Sequence, residues 1–496
     1  METLFSSISI IANWQVMAAL VAGSIGGVII GAMPGVGPAM AIAILLPATF
    51  SMEPIVGLTL LMGVYGAAMF GGAIPAILMN VPGTAVNALT TYDGYPMTQK
   101  GQAGRALSLA YGASFVGGVF SIVCLMLFSP GLAEIAPLFG SREIFMAALL
   151  GAVLVVVAHP GQALLSGLLF FFGMFLASVG LENFQMSQRY TFDQPWLSSG
   201  FDMIVVILGL FALSQAFYLL MSKDKSLESL ETPKNLRSGL WEVFRLPKAS
   251  IISSCFGVVM GVVPGVGQFI AQFFAYTVIQ GTSKKPETFG AGAPEGIIAS
   301  EAANNAVPAS AMIPLLALGI PGEAVTAMML AVFYVHNVVP GPQLFVEEFD
   351  FVLALYLCLL LANVITLLFL LVSTGVVVKI AKIPNRYLGM LTLTMSFIGV
   401  YTLRNSFTDC IIASVFGFIG LILKRMELPT TPIVLGMVLG PIMEAKFRTS
   451  MARVETPLDF INRPISGTIF GIIVLCIVAQ IFLKVRAARR QKAAQA

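Results

Sequence analysis

Charge is scarce in this 496-residue chain: only 10% of its residues are Asp, Glu, Lys or Arg, against roughly 25% in a soluble globular protein. Histidine is scarcer, with only His159 and His336. No HExxH, GxGD or GxxxxGK[ST] occurs, so an intramembrane enzyme and a nucleotide-driven pump lack their usual signatures. The five cysteines (Cys124, Cys255, Cys358, Cys410, Cys476) stand alone, without a CxxC or paired spacing, and read as small core residues. Basic residues sit in short loops with no aromatic-interleaved patch, which argues against a nucleic-acid partner. The N-terminal METLFSSISIIANW holds no Lys or Arg and no cleavage pattern, so it reads as a retained first helix rather than a removable signal.

What fills the chain is apolar: 57% hydrophobic residues and a mean hydropathy of +0.92. Runs near the length of about 20 residues that crosses a bilayer occupy most of the sequence. They predict an all-α polytopic membrane protein with about 10–14 membrane segments. A β-barrel would show short alternating segments instead. Many of the 48 glycines and 27 prolines fall inside these runs, where they permit close helix contact and broken or re-entrant helices.

Two breaks recur. GVIIGAMPGVG at 27–37 returns as GVVMGVVPGVG at 257–267, with Pro34 matched to Pro264 at an offset of 230. IPAILMNVPGTAVNA at 74–88 returns as IPLLALGIPGEAVTA at 313–327, with Pro82 matched to Pro321 at an offset of 239. The nine extra residues fall in or near 281–306. Asp93-Gly94-Tyr95-Pro96 reads as a turn, and Lys100 and Arg105 mark a surface loop. The most charged stretch, 222–249, divides the chain into a first membrane repeat (1–221), a charged linker (222–249), a second repeat (250–464), and a last helix with a basic tail (465–496). The positive-inside rule places that linker, the Lys379/Lys382/Arg386 loop, Lys424-Arg425 and the tail in the cytoplasm. Lys446, Arg448, Arg453 and Arg463 dissent if 430–443 spans. With an uncharged N-terminus outside, the repeats are inverted, a plan that places a transporter's site at the repeat interface.

A Pro-Gly break at membrane depth strands backbone amides that cost several kcal/mol each unless protein, ligand or water pairs them. Where a helix begins after the break, its free N–H groups and positive dipole end suit an anion such as a carboxylate. The expected substrate-binding residues are therefore Pro34, Gly35, Gly37, Asn80, Pro82, Gly83, Thr84, Pro264, Gly265, Gly267, Asn304, Asn305, Pro321 and Gly322. Glu301 and Glu323, carboxylates in an apolar setting, are the expected coupling-ion residues. The bland alternative is that the breaks only kink and pack helices and that 281–306 is a solvated loop holding Glu295. Asp202, Asp409 and Glu444 read as caps or interfacial residues, and both histidines as loop residues.

The chain resembles the large membrane subunit of the tripartite tricarboxylate transporters, the TctA type. The resemblance rests on GAMPGVGP (31–38), NVPGTAVNALTTYDGYPMTQKGQAGRAL (80–107), PGVG (264–267) and GAPEGIIASEAANNAVPASAMIPLLALGIPGEAVTA (292–327). It implies a multi-pass secondary transporter of the bacterial inner membrane that imports a di- or tricarboxylate. It also implies a small four-helix membrane subunit and a periplasmic binding protein as partners. The lipid bilayer is its setting, Na⁺ or H⁺ its coupling ion, and no cofactor or other metal is expected. Glu323 departs from the small polar residue expected after that Pro-Gly; weaker anion affinity and a coupling role are both open. A passive channel or a scaffold subunit is the alternative, and an enzyme is not expected.

Overall fold

The computed structural model describes residues 2–33, 37–81, 85–157, 162–182, 187–222, 236, 238–265, 267–380, 385–453 and 456–495. Pro34, Gly35, Pro82, Gly83, Thr84 and His159 lie outside them. The described chain is almost wholly helical. Its first half runs α1 (Glu2–Ile11), α2 (Trp14–Gly31), α3 (Pro38–Thr49), α4 (Pro54–Met79), α5 (Thr90–Gln99), α6 (Ala103–Ile135), α7 (Ser141–Val157), α8 (Ala163–Ala177), α9 (Met203–Ile207) and α10 (Ser214–Met221). A π-helical stretch, Leu208–Leu213, joins the last two. The second half runs α11 (Leu240–Arg245), α12 (Pro247–Val262), α13 (Gly267–Thr282), α14 (Pro294–Leu318), α15 (Ala324–Val335), α16 (Pro342–Glu347), α17 (Phe349–Ile380), α18 (Asn385–Arg404), α19 (Phe407–Arg425) and α20 (Thr431–Met451), before α21 (Pro464–Gln495). A two-residue antiparallel pair, Gly180–Leu181 with Gln188–Arg189, is the sheet among the described residues.

Among the described residues, six helical segments are long and apolar enough to cross a membrane: Trp14–Gly31, Pro54–Met79, Ala103–Leu138, Met203–Met221, Phe349–Lys379 and Phe407–Arg425. Five apolar helices are shorter, including Pro38–Thr49, Pro247–Val262 and Ala324–Val335. Three of these flank the expected breaks, because proline and glycine there end one helix and restart another.

The halves interlock reciprocally. α2 lies along α4 as α12 lies along α14; α14 packs on α6 while α4 packs on α17; α8 packs on α20 while α10 and its π-helical neighbour pack on α19. Close approach depends on small residues at matched positions. A Cβ added at Gly23, Gly27 or Gly31 would run into the α4 backbone at Leu60, Val64 or Ala68, and one at Gly257 would run into Ala303 of α14. Without a hydrophobic force between helices in lipid, such backbone-to-backbone packing supplies much of the association.

Several local expectations change. Residues 90–99 are helical and Asp93 is fully buried, rather than a turn. Pro96 is tolerated in the last turn, and the Asp93 carboxylate accepts backbone N–H from Gly290, Gly292 and Ala293 at 2.8, 2.9 and 2.8 Å and the Tyr276 hydroxyl at 2.7 Å. Arg105 is in the first turn of α6 and holds Glu242 of α11 with both nitrogens, at 2.6 and 2.9 Å. The expected linker therefore contains α11 and the start of α12. The extra residues of the second half lie in a longer α13 and the loop 283–293. α20 runs on without a break through Glu444, Lys446 and Arg448; Glu444 pairs with Arg189 at 2.8 Å and with Arg448 at 2.9 Å. That ion pairing lets charge continue an otherwise apolar helix.

Candidate functional site

Residues 281–306 are not a solvated loop around the motif. α14 begins at Pro294, where a missing N–H costs nothing in the first turn, so Glu301, Asn304 and Asn305 fall mid-helix. All three are buried. Glu295, in the first turn, is half-buried and accepts the Ser283 hydroxyl.

Glu301 is ringed by donors, three of them from the other half of the chain. Its Oε1 accepts the Thr90 hydroxyl at 2.5 Å and the Asn87 amide at 3.2 Å. Its Oε2 accepts the Ser114 hydroxyl at 3.1 Å and Asn305 Nδ2 at 3.4 Å. Asn305 Nδ2 also reaches Ser114 Oγ at 2.7 Å and the Glu301 carbonyl at 3.1 Å. A buried carboxylate is tolerated only with such partners. Asn304 differs: it lies near enough to Glu301 to interact with it, yet neither its Nδ2 nor its Oδ1 makes a hydrogen bond within accepted geometry. A fully buried amide whose hydrogen bonds are so poorly formed is a costly arrangement in a finished fold.

Beside Asn305 a small cavity of about 30 Å³ opens between α4, α6, α14 and α17, lined by Gly66, Gly118, Asn305, Asn363 and Thr366 among others. That space suits one or two waters. Thr366 Oγ1 in its wall has no hydrogen-bond partner. Gly66 occupies the position in α4 that Asn305 occupies in α14, at the same offset of 239, so the cavity sits where the two halves meet.

The second-half breaks close on each other. Gly265 N–H donates to the Gly322 carbonyl at 2.7 Å. Gly265 has φ 82°, and a Cβ there would meet Val155 Cα at 2.6 Å; only glycine fits both the conformation and the space. Gly267 (φ 66°) starts α13 and faces Glu323, the residue before α15. Pro264 lies against Gly151, and Pro321 and Gly322 are buried. Glu323 accepts the Tyr65 hydroxyl of α4 and, at 3.4 Å, Gln268 Nε2; its own N–H donates to Thr326 Oγ1 at 2.9 Å.

Two residues absent from the sequence reading connect these parts. Gln268 and Gln272 lie one turn apart on α13: the first reaches Tyr65 and Glu323, the second donates to the Val86 carbonyl beside Asn87. Gln272 is fully buried and its Oε1 has no hydrogen bond. Their signal was available, as the glutamines spaced i, i+4 in QFIAQFFAY (268–276) share one helix face. Expected site residues also separate. Asn80 is an exposed left-handed cap of α4 (φ 54°), the counterpart of Gly319 (φ 69°) at the end of α14, and points to helix termination. Gly37 precedes α3 and lines a different cavity. His336 contacts the Thr49 carbonyl at 3.1 Å in a turn. Asp202 caps α9 through Ile204 N–H at 2.8 Å, as expected.

A buried, hydrogen-bonded carboxylate thus lies beside a poorly paired amide where the two halves of the chain meet. The model of the Tripartite tricarboxylate transporter TctA family matches residues 17–435. The chain belongs to that family. Among its relatives is an uncharacterized 52.8 kDa protein of the TAR-I ttuC' 3'region in Agrobacterium vitis, 32% identical over 465 residues, covering 93% of this chain and 92% of that protein. An uncharacterized protein of the TAR-II ttuC' 3'region in the same organism is 32% identical over 237 residues, covering 47% of this chain and 98% of that protein. This TctA-family chain is thus a membrane transporter subunit of tricarboxylate transport.

Proposed function

We propose that the chain is the ion-coupled permease of its tripartite system. It imports a di- or tricarboxylate across the bacterial inner membrane, alongside a small four-helix membrane subunit and a periplasmic binding protein that delivers the substrate. The reading assigns a substrate carboxylate to Asn304 and the helix starts after the Pro-Gly breaks, including Gly267 and Gly322. Glu301 and Glu323 hold the coupling cation, H⁺ or Na⁺. Asn305, Asn87, Thr90 and Ser114 position the Glu301 carboxylate.

The observation that carries this assignment is the Asn304 amide, buried without a hydrogen bond in good geometry, beside a Glu301 held on both oxygens by protein donors. An amide can donate to a carboxylate and offer an oxygen to a cation at once. Hard cations favour carboxylate, carbonyl and hydroxyl oxygens, which the Glu301 cluster concentrates. Binding an anion and a cation side by side lowers the charge that must cross hydrocarbon, so each favours the other's occupancy.

Asn304→Ala tests the reading without the usual ambiguity. Because the amide makes no hydrogen bond in good geometry and has only its approach to Glu301 to lose, its removal should shift the thermal unfolding midpoint little. Uptake of labelled carboxylate into vesicles carrying the complete system should fall to background. Normal uptake by a folded Asn304→Ala protein would remove Asn304 from the site.

A further inference from the structure

A second cavity, of about 340 Å³, lies between the start of α3, α10, α19 and the start of α20. Its wall includes Gly37, Ala39 and Met40 at the start of α3, Gln215 of α10, Lys424 of α19, and Thr430-Thr431 at the start of α20. Lys424, expected from sequence to be a solvated cytoplasmic charge, turns inward instead. Its ammonium donates to Gln215 Oε1 and lies 4.3 Å from the centre of the Tyr218 ring. Among the described residues it has no carboxylate partner. Gln215 is only 5% exposed, and the π-helical stretch Leu208–Leu213 directly before α10 also contributes Leu210 and Phe211 to the wall. Such stretches are frequent at functional sites.

We infer that this cavity is an anion-binding site that receives the transported carboxylate on the cytoplasmic side of the central site, with Lys424 as its counter-charge. A partly buried ammonium with only neutral partners favours an anion beside it. Two helix starts add first-turn N–H groups and dipole ends of the same sign, on helices of 12 and 21 residues. The Thr430 and Thr431 hydroxyls add neutral donors, and among the described residues no acidic side chain lines the cavity. The volume accommodates a small carboxylate with water. This inference rests on the chain carrying a carboxylate and adds a residue and a place on the path.

The same anionic oxygens occur on lipid headgroups, so the test separates the two sources. The purified full chain is placed in nanodiscs of phosphatidylcholine, with or without phosphatidylglycerol. Labelling of Lys424 by an amine-reactive reagent is followed by peptide mass spectrometry, with the exposed Lys248 as internal reference. Citrate and malate serve as tri- and dicarboxylate probes against chloride at equal ionic strength. Bound carboxylate should slow labelling of Lys424 in phosphatidylcholine by one plus the ratio of probe concentration to Kd, about tenfold at roughly ten times Kd, with Lys248 unchanged. Protection by phosphatidylglycerol alone would overturn the inference in favour of a lipid site, and no protection by either would overturn it outright. The measurement needs neither an ion gradient nor the partner subunits. Its failure therefore counts against this cavity, whereas failure of gradient-driven uptake with protection intact counts against the coupling mechanism.

Discussion

One nitrogen, Asn305 Nδ2, serves three acceptors: Ser114 Oγ, the Glu301 carbonyl and Glu301 Oε2. Asn305→Ala leaves those acceptors to their remaining partners at a cost of about 1–3 kcal/mol, so the protein should still fold and elute as wild type on size exclusion. Uptake should nevertheless fall to background, because Ser114 and Glu301 lose the group that fixes them. Retained transport would return Asn305 to a packing role. Glu301, Asn304 and Asn305 could be picked from the sequence because polar side chains are rare in so apolar a chain. Their partners could not. Asn87 and Ser114 lie 214 and 187 residues from Glu301, and nothing in either local pattern tells which helix faces which. Lys424 was legible only as a charge, since the positive-inside rule reads the sign of a residue and not the direction of its side chain.

At the scale of elements, the glycine contacts and the Asp93 junction decide how helices carry the site. A Cβ at Gly117 would overlap the Ala302 carbonyl across the α6–α14 seam, one residue from Glu301. Gly117→Ala should cost about 1–3 kcal/mol by overpacking, lowering the thermal unfolding midpoint, and should reduce uptake by moving Ser114 away from Glu301. An unchanged midpoint would show that the seam can open freely. Asp93→Ala strands three backbone N–H groups of 290–293 and the Tyr276 hydroxyl. At about 1–3 kcal/mol for each unsatisfied group, it should destabilise the protein strongly and loosen 283–293 enough for trypsin to cleave after the exposed Lys284. Equal trypsin resistance would mean that the loop is held elsewhere. Helix breaks were legible from proline and glycine, as α12/α13 and α14/α15 illustrate. The helix at 90–99 was not, because Asp-Gly-Tyr-Pro carries turn chemistry that burial against 290–293 overrides. Nor was the full length of α20, whose charges are neutralised by Arg189 and Glu182, residues remote in sequence.

Over the whole molecule, the offsets of 230 and 239 identified which segments are alike, and the structure adds how they interlock. α4 meets Glu323 of the second half through Tyr65, and α14 meets Asn87 and Thr90 of the first half through Glu301. Sequence similarity reports kinship between segments, whereas this exchange of partners depends on three-dimensional packing. It places both carboxylates between the halves, where a shift of one half against the other changes their surroundings together. The most direct measurement is uptake of labelled citrate and malate into sealed vesicles holding the complete tripartite system, with Na⁺ and proton gradients imposed separately. The account predicts that one inward gradient accelerates wild-type uptake and drives accumulation above the external concentration, and that Glu301→Gln abolishes this gradient response. Carboxylate entry that only equilibrates, at a rate indifferent to both gradients, would contradict it.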